Sequence, residues 1–189
     1  MLFRSIPEDR RAVGLIGSLP LWENAVAERL RSPSFSRFGL LRRDTAKAYA
    51  ARIVQQFDVR GAGLQSACQL LSGGNMQKLI LGRALLPVEG QSTPQLIVAH
   101  QPTWGLDIGA VSYVHQQLLA ARDKGAAVLL ISDDLDEVIA LGDRIAVLHA
   151  GLLTHALAPA EWTREQLGLA MAGSDVDRAS KSDFEAVLA

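Results

Sequence analysis

The sequence predicts an α/β protein in which a helical part, about residues 20–86, precedes a parallel-sheet layer, about residues 94–158. Three observations support this. Between residues 44 and 57 apolar side chains recur at helical spacing, with Ala48, Ala51, Ile53, Val54 and Phe57 on one expected face. From residue 94 onward, short continuous apolar runs alternate with helical stretches, the pattern of strands buried on both faces of a parallel sheet. Between the two parts, Leu71-Ser-Gly-Gly-Asn-Met-Gln opens directly into an apolar-striped helix that runs to Leu85.

Each element has its own signal. Residues 1–19 read as mixed loop and strand. Residues 21–30 and 44–57 read as helices, separated by a Pro-, Ser- and Gly-containing loop over 31–43. Residues 60–69 form a linker. Strands are expected at 96–99, 126–131 and 144–148, with helices at 110–122 and 135–141 between them. Ala150-Gly151 turns the chain into a hairpin with 152–157, and 162–172 closes as a helix. The residues from Ser174 onward are polar and weakly patterned, and are expected to form a loose tail.

The Ser-Gly-Gly junction is built to hold an anion. Ser72 can cap the helix. Gly73 and Gly74 carry no side chains to keep a phosphate from the backbone N–H groups, and the helix N-terminus adds partial positive charge. On its own, this string also suits an ordinary glycine-rich cap.

The longer string Leu71-Ser-Gly-Gly-Asn-Met-Gln-Lys-Leu-Ile-Leu-Gly-Arg-Ala-Leu85 resembles the signature motif of the ABC-transporter ATPases. The apolar run at 96–99, followed by His100-Gln-Pro-Thr-Trp-Gly-Leu-Asp107, is similar to that family's second carboxylate motif and the loop after it. With Ile6-Pro-Glu-Asp-Arg10, these strings look like the second cassette of double-cassette ATPases that drive import of ribose-type sugars, other simple sugars and nucleosides. The likeness spans about residues 5–172. It implies a partial P-loop NTPase cassette. A permease-contact region (1–19) would lead into a helical subdomain ending in the signature helix (20–86), then the remaining α/β core (87–172) and a flexible tail (173–189).

The resemblance assigns expected roles. Ser72, Gly73, Gly74 and Asn75 would grip ATP in trans, on a nucleotide held by a second cassette. Asp107 would lie in the dimer-contact loop, and Glu8 would take the place of a glutamine that links nucleotide to permease. The implied partners are another ABC ATPase cassette and integral-membrane permease subunits. The implied ligand is ATP with Mg2+, bound mainly by the partner cassette. The implied location is cytoplasmic, peripheral at the inner face of the membrane.

Several departures stand out. The phosphate loop Gly-x-x-x-x-Gly-Lys-[Ser/Thr] occurs nowhere in the chain, so no nest of N–H groups, no lysine and no Mg2+-binding hydroxyl is supplied here. The strand and helix flanking that loop are expected to be missing as well. His100 stands where an aspartate would hold Mg2+, and a neutral imidazole is a poor substitute for hard oxygen. A separate zinc site is disfavoured, because His115, His149 and His155 have no ligand spacing with it. Gln101 replaces the general-base glutamate; an amide orients water but takes no proton, which forfeits about 10²–10⁴-fold. Asp133 replaces the switch histidine. A carboxylate there would oppose a γ-phosphate by ~4 kcal/mol at ~4 Å, or it could simply complement a helix dipole. Trp104 could anchor a partner or pack inward.

Composition sets the remaining bounds. The formal net charge is −1, which gives no overall pull toward nucleic acid or anionic membrane. The basic stretch Arg29, Arg31, Arg37, Arg42 and Arg43 with Phe35 and Phe38 is expected to be a solvated face rather than a nucleic-acid or lipid patch. Cys68 is the only cysteine, so no internal disulfide is possible, and a single thiol suits a reducing compartment. No run approaches a membrane span and no signal-peptide pattern opens the chain, so membrane contact should go through a partner.

The expected function is a hydrolysis-deficient second cassette of a sugar or nucleoside importer, truncated and supplying its signature in trans. The rival reading is a non-catalytic interaction fragment or a non-functional gene remnant. A chromosome-maintenance ATPase is disfavoured, because no long heptad coiled coil precedes the signature.

Overall fold

The computed structural model describes residues 3–173, apart from 62 and 89, so the expected tail lies outside the described residues. The chain divides into two compact units, one ending at Ile131 and one beginning at Ser132.

In the first unit, β1 (Phe3–Ile6) is followed by α1 (Leu21–Val26), whose last turn tightens over Ala27–Arg29. The loop expected over 31–43 contains a short hairpin, β2 (Ser36–Arg37) with β3 (Leu40–Leu41). Then come α2 (Arg43–Gln56), α3 (Gly73–Leu85), β4 (Leu96–His100), α4 (Ile108–Asp123) and β5 (Ala127–Ile131). The sheet order is β1-β4-β5, all parallel, with Ile6 beside Ala99 and Ala99 beside Leu130. The opening strand therefore belongs to the core sheet, although it precedes the helices in sequence.

Two details differ from the sequence reading. The buried face of α2 is Ala46, Tyr49, Ala50 and Ile53, continued by Phe57, whereas Ala48 and Ala51 face solvent. Spacings of three and four residues from Ala46 make the tighter stripe, and Tyr49 joins it because its hydroxyl finds the Leu86 carbonyl at 2.8 Å. The sheet is also buried on one face only. Ile6, Ile97 and Ala99 are fully covered, but on the other face Leu129 is 52% and Ile131 44% exposed. A parallel sheet normally has both faces covered.

The second unit holds α5 (Leu135–Leu141), the hairpin of β6 (Leu148–His149) with β7 (Leu152–Leu153), and α6 (Arg164–Met171). Ala150 (φ +48°) and Gly151 (φ +79°) form the hairpin turn as expected. The strand expected at 144–148 does not extend the parallel sheet. Ile145 instead bridges Leu157, and the ladder continues only as the short hairpin. Trp162 precedes α6 rather than starting it. Its indole donates to the Ile145 carbonyl at 3.1 Å, and Thr163 caps the helix with Gln166 in reciprocal hydrogen bonds.

Candidate functional site

The glycine-softened corner forms as the sequence predicts. Ser72 is the N-cap of α3, extended at φ −65° and ψ 159°, and its Oγ accepts from the Asn75 N–H. Ser72 is exposed, while Gly73, Gly74 and Asn75 are half-buried. Asn75 fixes the corner in two directions: its Nδ2 donates to Ser72 Oγ at 2.9 Å, and its Oδ1 accepts from the Arg60 N–H at 2.7 Å. The first-turn N–H groups of Gly73 and Gly74 have no intrahelical acceptor, so they are available to an anion.

The helix is held in place by close packing. A β-carbon on Gly82 would lie 2.4 Å from Ile53 Cγ2, so this glycine lets α3 approach α2. Farther down, Arg83 is buried and tied to Glu28 at 2.7 Å and to the Gly14 carbonyl at 2.8 Å. Burial pulls its pKa below the ordinary arginine value, with Glu28 opposing.

Beside the corner lies a cleft of about 330 Å³ lined by Ser72, Gly74, Lys78, Asp107 and Tyr113. Asp107 is the N-cap of α4, with its carboxylate accepting from the Ala110 N–H at 3.0 Å. The expected dimer-contact residue and the signature thus share one cleft, to which both helices present their starts. Lys78 donates to the Asp58 carboxylate at 3.1 Å and lies 5.1 Å from the centre of the Tyr113 ring. The Tyr113 hydroxyl is buried without a partner among the described residues.

Arg10, unassigned in the sequence reading, lies beside the corner. Its side chain donates to the Trp104 carbonyl and passes 3.8 Å from where a β-carbon on Gly73 would sit. Asp9, two places from the start of the Pro-Glu-Asp-Arg string, makes this possible by capping the turn over Arg10–Gly14 through bonds to Arg11 and Ala12. The string was legible; its aim at the signature was not, because that depends on β1 lying beside β4.

His100, Gln101 and Asp133 lie in different surroundings. His100 ends β4, and its Nε2 is 3.6 Å from the Glu8 carboxylate. Glu8, expected at a permease contact, therefore stands beside the strand end. An imidazole with one carboxylate is not the hard-oxygen set that Mg2+ needs, so these residues do not fit the metal. Among the described residues, no group of three or more His, Cys, Asp or Glu side chains could hold a metal ion.

Gln101 takes a positive φ of 46°, a conformation that side-chain-bearing residues rarely adopt. Its N–H donates to the Ile131 carbonyl at 2.8 Å. Trp104 is 66% exposed, which answers the question of its direction. In the second unit Asp133 is exposed, and the helix-capping carboxylate is Asp134, which accepts from Asp136 and Glu137.

The expected basic face is only partly solvated. Arg29 is 6% and Phe35 1% exposed, whereas Phe38 is 90% exposed. The Arg29 guanidinium is drawn inward to the Leu86 and Arg83 carbonyls at the end of α3.

The fold is that of part of an ABC ATPase cassette. A dimeric ATP-binding cassette in a post-hydrolysis state, bound to ADP and Pi, superposes with a TM-score of 0.64 at 21% identity, over 84% of this chain and 63% of that one. No protein-family model matches the chain. A nucleoside import ATP-binding protein of Lactococcus lactis subsp. cremoris is 39% identical over 172 residues, which is 91% of this chain and 33% of that protein. A guanosine import ATP-binding protein of Bacillus subtilis is 39% identical over 178 residues, 94% of this chain and 34% of its own length. A ribose import ATP-binding protein of Rubrobacter xylanophilus is 32% identical over 181 residues, 96% and 34% respectively. Homologues at this level over most of the chain are thus ATP-binding proteins of ABC-type sugar and nucleoside importers. The chain spans about a third of the length of the curated relatives it matches.

Proposed function

We propose that the chain is an energy-coupling ATP-binding component of an importer for a simple sugar or nucleoside. It acts by gripping a nucleotide held on a second cassette and hydrolyses little or none itself. The observation that carries this reading is the accessible Ser72-Gly73-Gly74 corner. Its free N–H groups open on a cleft shared with Asp107, and Arg10 lies alongside. That corner offers donors and positive potential to terminal phosphate oxygens without any group to activate water.

The degenerate side fits the same division of labour. His100 and Gln101 supply neither a hard metal ligand nor a general base, so Mg2+ and the water-activating group come with the partner cassette. The cassette pair works with integral-membrane permease subunits at the inner face of the membrane. Glu8 and Trp104 are offered as contacts at the strand end and the neighbouring loop. Among the described residues no helix is long and apolar enough to cross a membrane.

A mixing experiment tests this. The chain alone should hydrolyse ATP no faster than a blank. Added to a cassette of the same importer class that carries a phosphate loop but a disabled signature, it should restore hydrolysis, and Ser72→Ala should cut that restoration by about tenfold or more. Enzyme-like turnover by the isolated chain would overturn the proposal. So would restoration that ignores Ser72→Ala.

A further inference from the structure

A second cavity, sharing no lining residue with the cleft at the signature corner, has the chemistry of an anion site. It measures about 380 Å³ and lies among β1, the turn that follows α1, and the loop before β4. Arg4, Arg29 and Arg31 contribute to its wall. Its carboxylate, Glu28, is already engaged by Arg83 at 2.7 Å, so positive charge is in excess among the described residues. Arg29 is 94% buried by its 6% exposure, and its Nε has no partner among the described residues. Arg4 is half-buried, but its Nε is likewise buried and without a partner among the described residues, and its Nη1 donates to the neighbouring Phe3 carbonyl at 3.1 Å. Burial above all, with the charge of Arg4 adding to it, pulls the Arg29 pKa down. Two of the Arg29 nitrogens are held by the Leu86 and Arg83 carbonyls, so its charge is fixed in a desolvating place with Arg4 beside it, and an anion bound in the cavity would offset both the burial and the like charge.

The opposite wall is neutral and rich in hydrogen-bonding groups. Gln91 Nε2 donates to Ser32 Oγ at 2.7 Å, which leaves the Ser32 O–H and the Gln91 carbonyl oxygen to meet hydroxyl groups, with the Ser92 side chain beside them. Planar guanidinium groups favour phosphate oxygens.

We infer that the cavity between β1 and the Ser32–Gln91 loop pair binds a small phosphate monoester that carries hydroxyl groups. The phosphate would sit on Arg4 and Arg31, and the hydroxyls on Ser32 and Gln91. This site is separate from the Ser72 corner and needs no second cassette.

Calorimetric titration of the full chain with glycerol 3-phosphate and, separately, inorganic phosphate tests it. Glycerol 3-phosphate should bind more tightly than phosphate. Arg31→Ala, at an exposed position, should weaken binding about tenfold or more, and Arg4→Gln should do likewise. Arg37→Ala and Ser72→Ala should retain it. Equal affinity for the two probes would overturn the hydroxyl-binding wall. No binding, or binding unchanged by Arg31→Ala with the folded state verified by a thermal melt, would overturn the site. If Ser72→Ala alone abolished binding, the phosphate would lie at the signature corner; this inference would then fail while the proposed function stood.

Discussion

Gly82 tests whether close helix packing, rather than helix propensity, governs the seat of the signature helix. Replacing glycine with alanine inside a helix normally stabilises by about 1 kcal/mol. Here the new methyl would sit 2.4 Å from Ile53 Cγ2 and 3.1 Å from a Phe57 ring carbon. Ile53 is fully buried and Phe57 is 6% exposed, so neither wall can swing into solvent. Overpacking of this kind costs about 1–3 kcal/mol, and two rigid walls place it at the upper end. The expected net loss for Gly82→Ala is about 2 kcal/mol, a fall in Tm of roughly 4–8 °C for a domain of this size. Denaturant unfolding followed by circular dichroism measures it, with Gly168→Ala in α6 as the contrast. That glycine's added methyl meets nothing within 4 Å, so the substitution should be neutral or stabilising. Pairing Gly82→Ala with Ile53→Ala should recover at least about 1 kcal/mol of the summed losses, because the deleted side chain makes room. A Gly82→Ala protein as stable as its parent, or strict additivity with Ile53→Ala, would refute the close contact between α2 and α3.

Three further outcomes are expected. Arg83→Met removes the hydrogen bonds to the Gly14 and Asn24 carbonyls, while Glu28, whose side chain is 36% exposed, turns to solvent, so stability should drop by about 1–3 kcal/mol in the same assay. The Cys68 thiol is buried, and desolvation pushes its pKa up to about 11 from 9. It should resist a thiol reagent until the protein unfolds. Because the unfolded thiol loses its proton first, the stability it contributes is complete below pH 9 and lost as pH rises toward about 11; Cys68→Ala should flatten that part of the profile. The Asp58 carboxyl is held below its ordinary pKa by hydrogen bonds from Arg60 and then Lys78. Its stabilising pairing is present above pH ~4 and lost as pH falls. An NMR titration should show the depressed value moving back up in Lys78→Met.

The signature corner was legible in the sequence because every part of it is local. The Ser72 cap, the two glycines and the helix that follows lie within one turn, and their geometry follows from backbone rules. Most helices were legible for the same reason, since a repeat of three and four residues is written along the chain. On α2 the expected Ile53 and Phe57 are buried, but Ala48 and Ala51 were misplaced because they are as apolar as Ala46 and Ala50. Only the partners Gly82 and Leu86 across the interface distinguish them.

By itself the sequence determined most of the order of helices and strands, the Ser72-capped, glycine-softened start of the helix, and the presence of an imidazole and an amide, not carboxylates, at positions 100 and 101. The tertiary structure alone decided what lies beside those residues. Parallel pairing of β1 with β4 delivers Arg10 to Gly73 and Glu8 to His100, and leaves Leu129 and Ile131 uncovered. Arg29 looked like surface charge for a similar reason. A guanidinium is drawn into a core by carbonyls at the end of another helix, and across a sequence separation of 54 nothing in Arg29 or Arg83 signals that meeting.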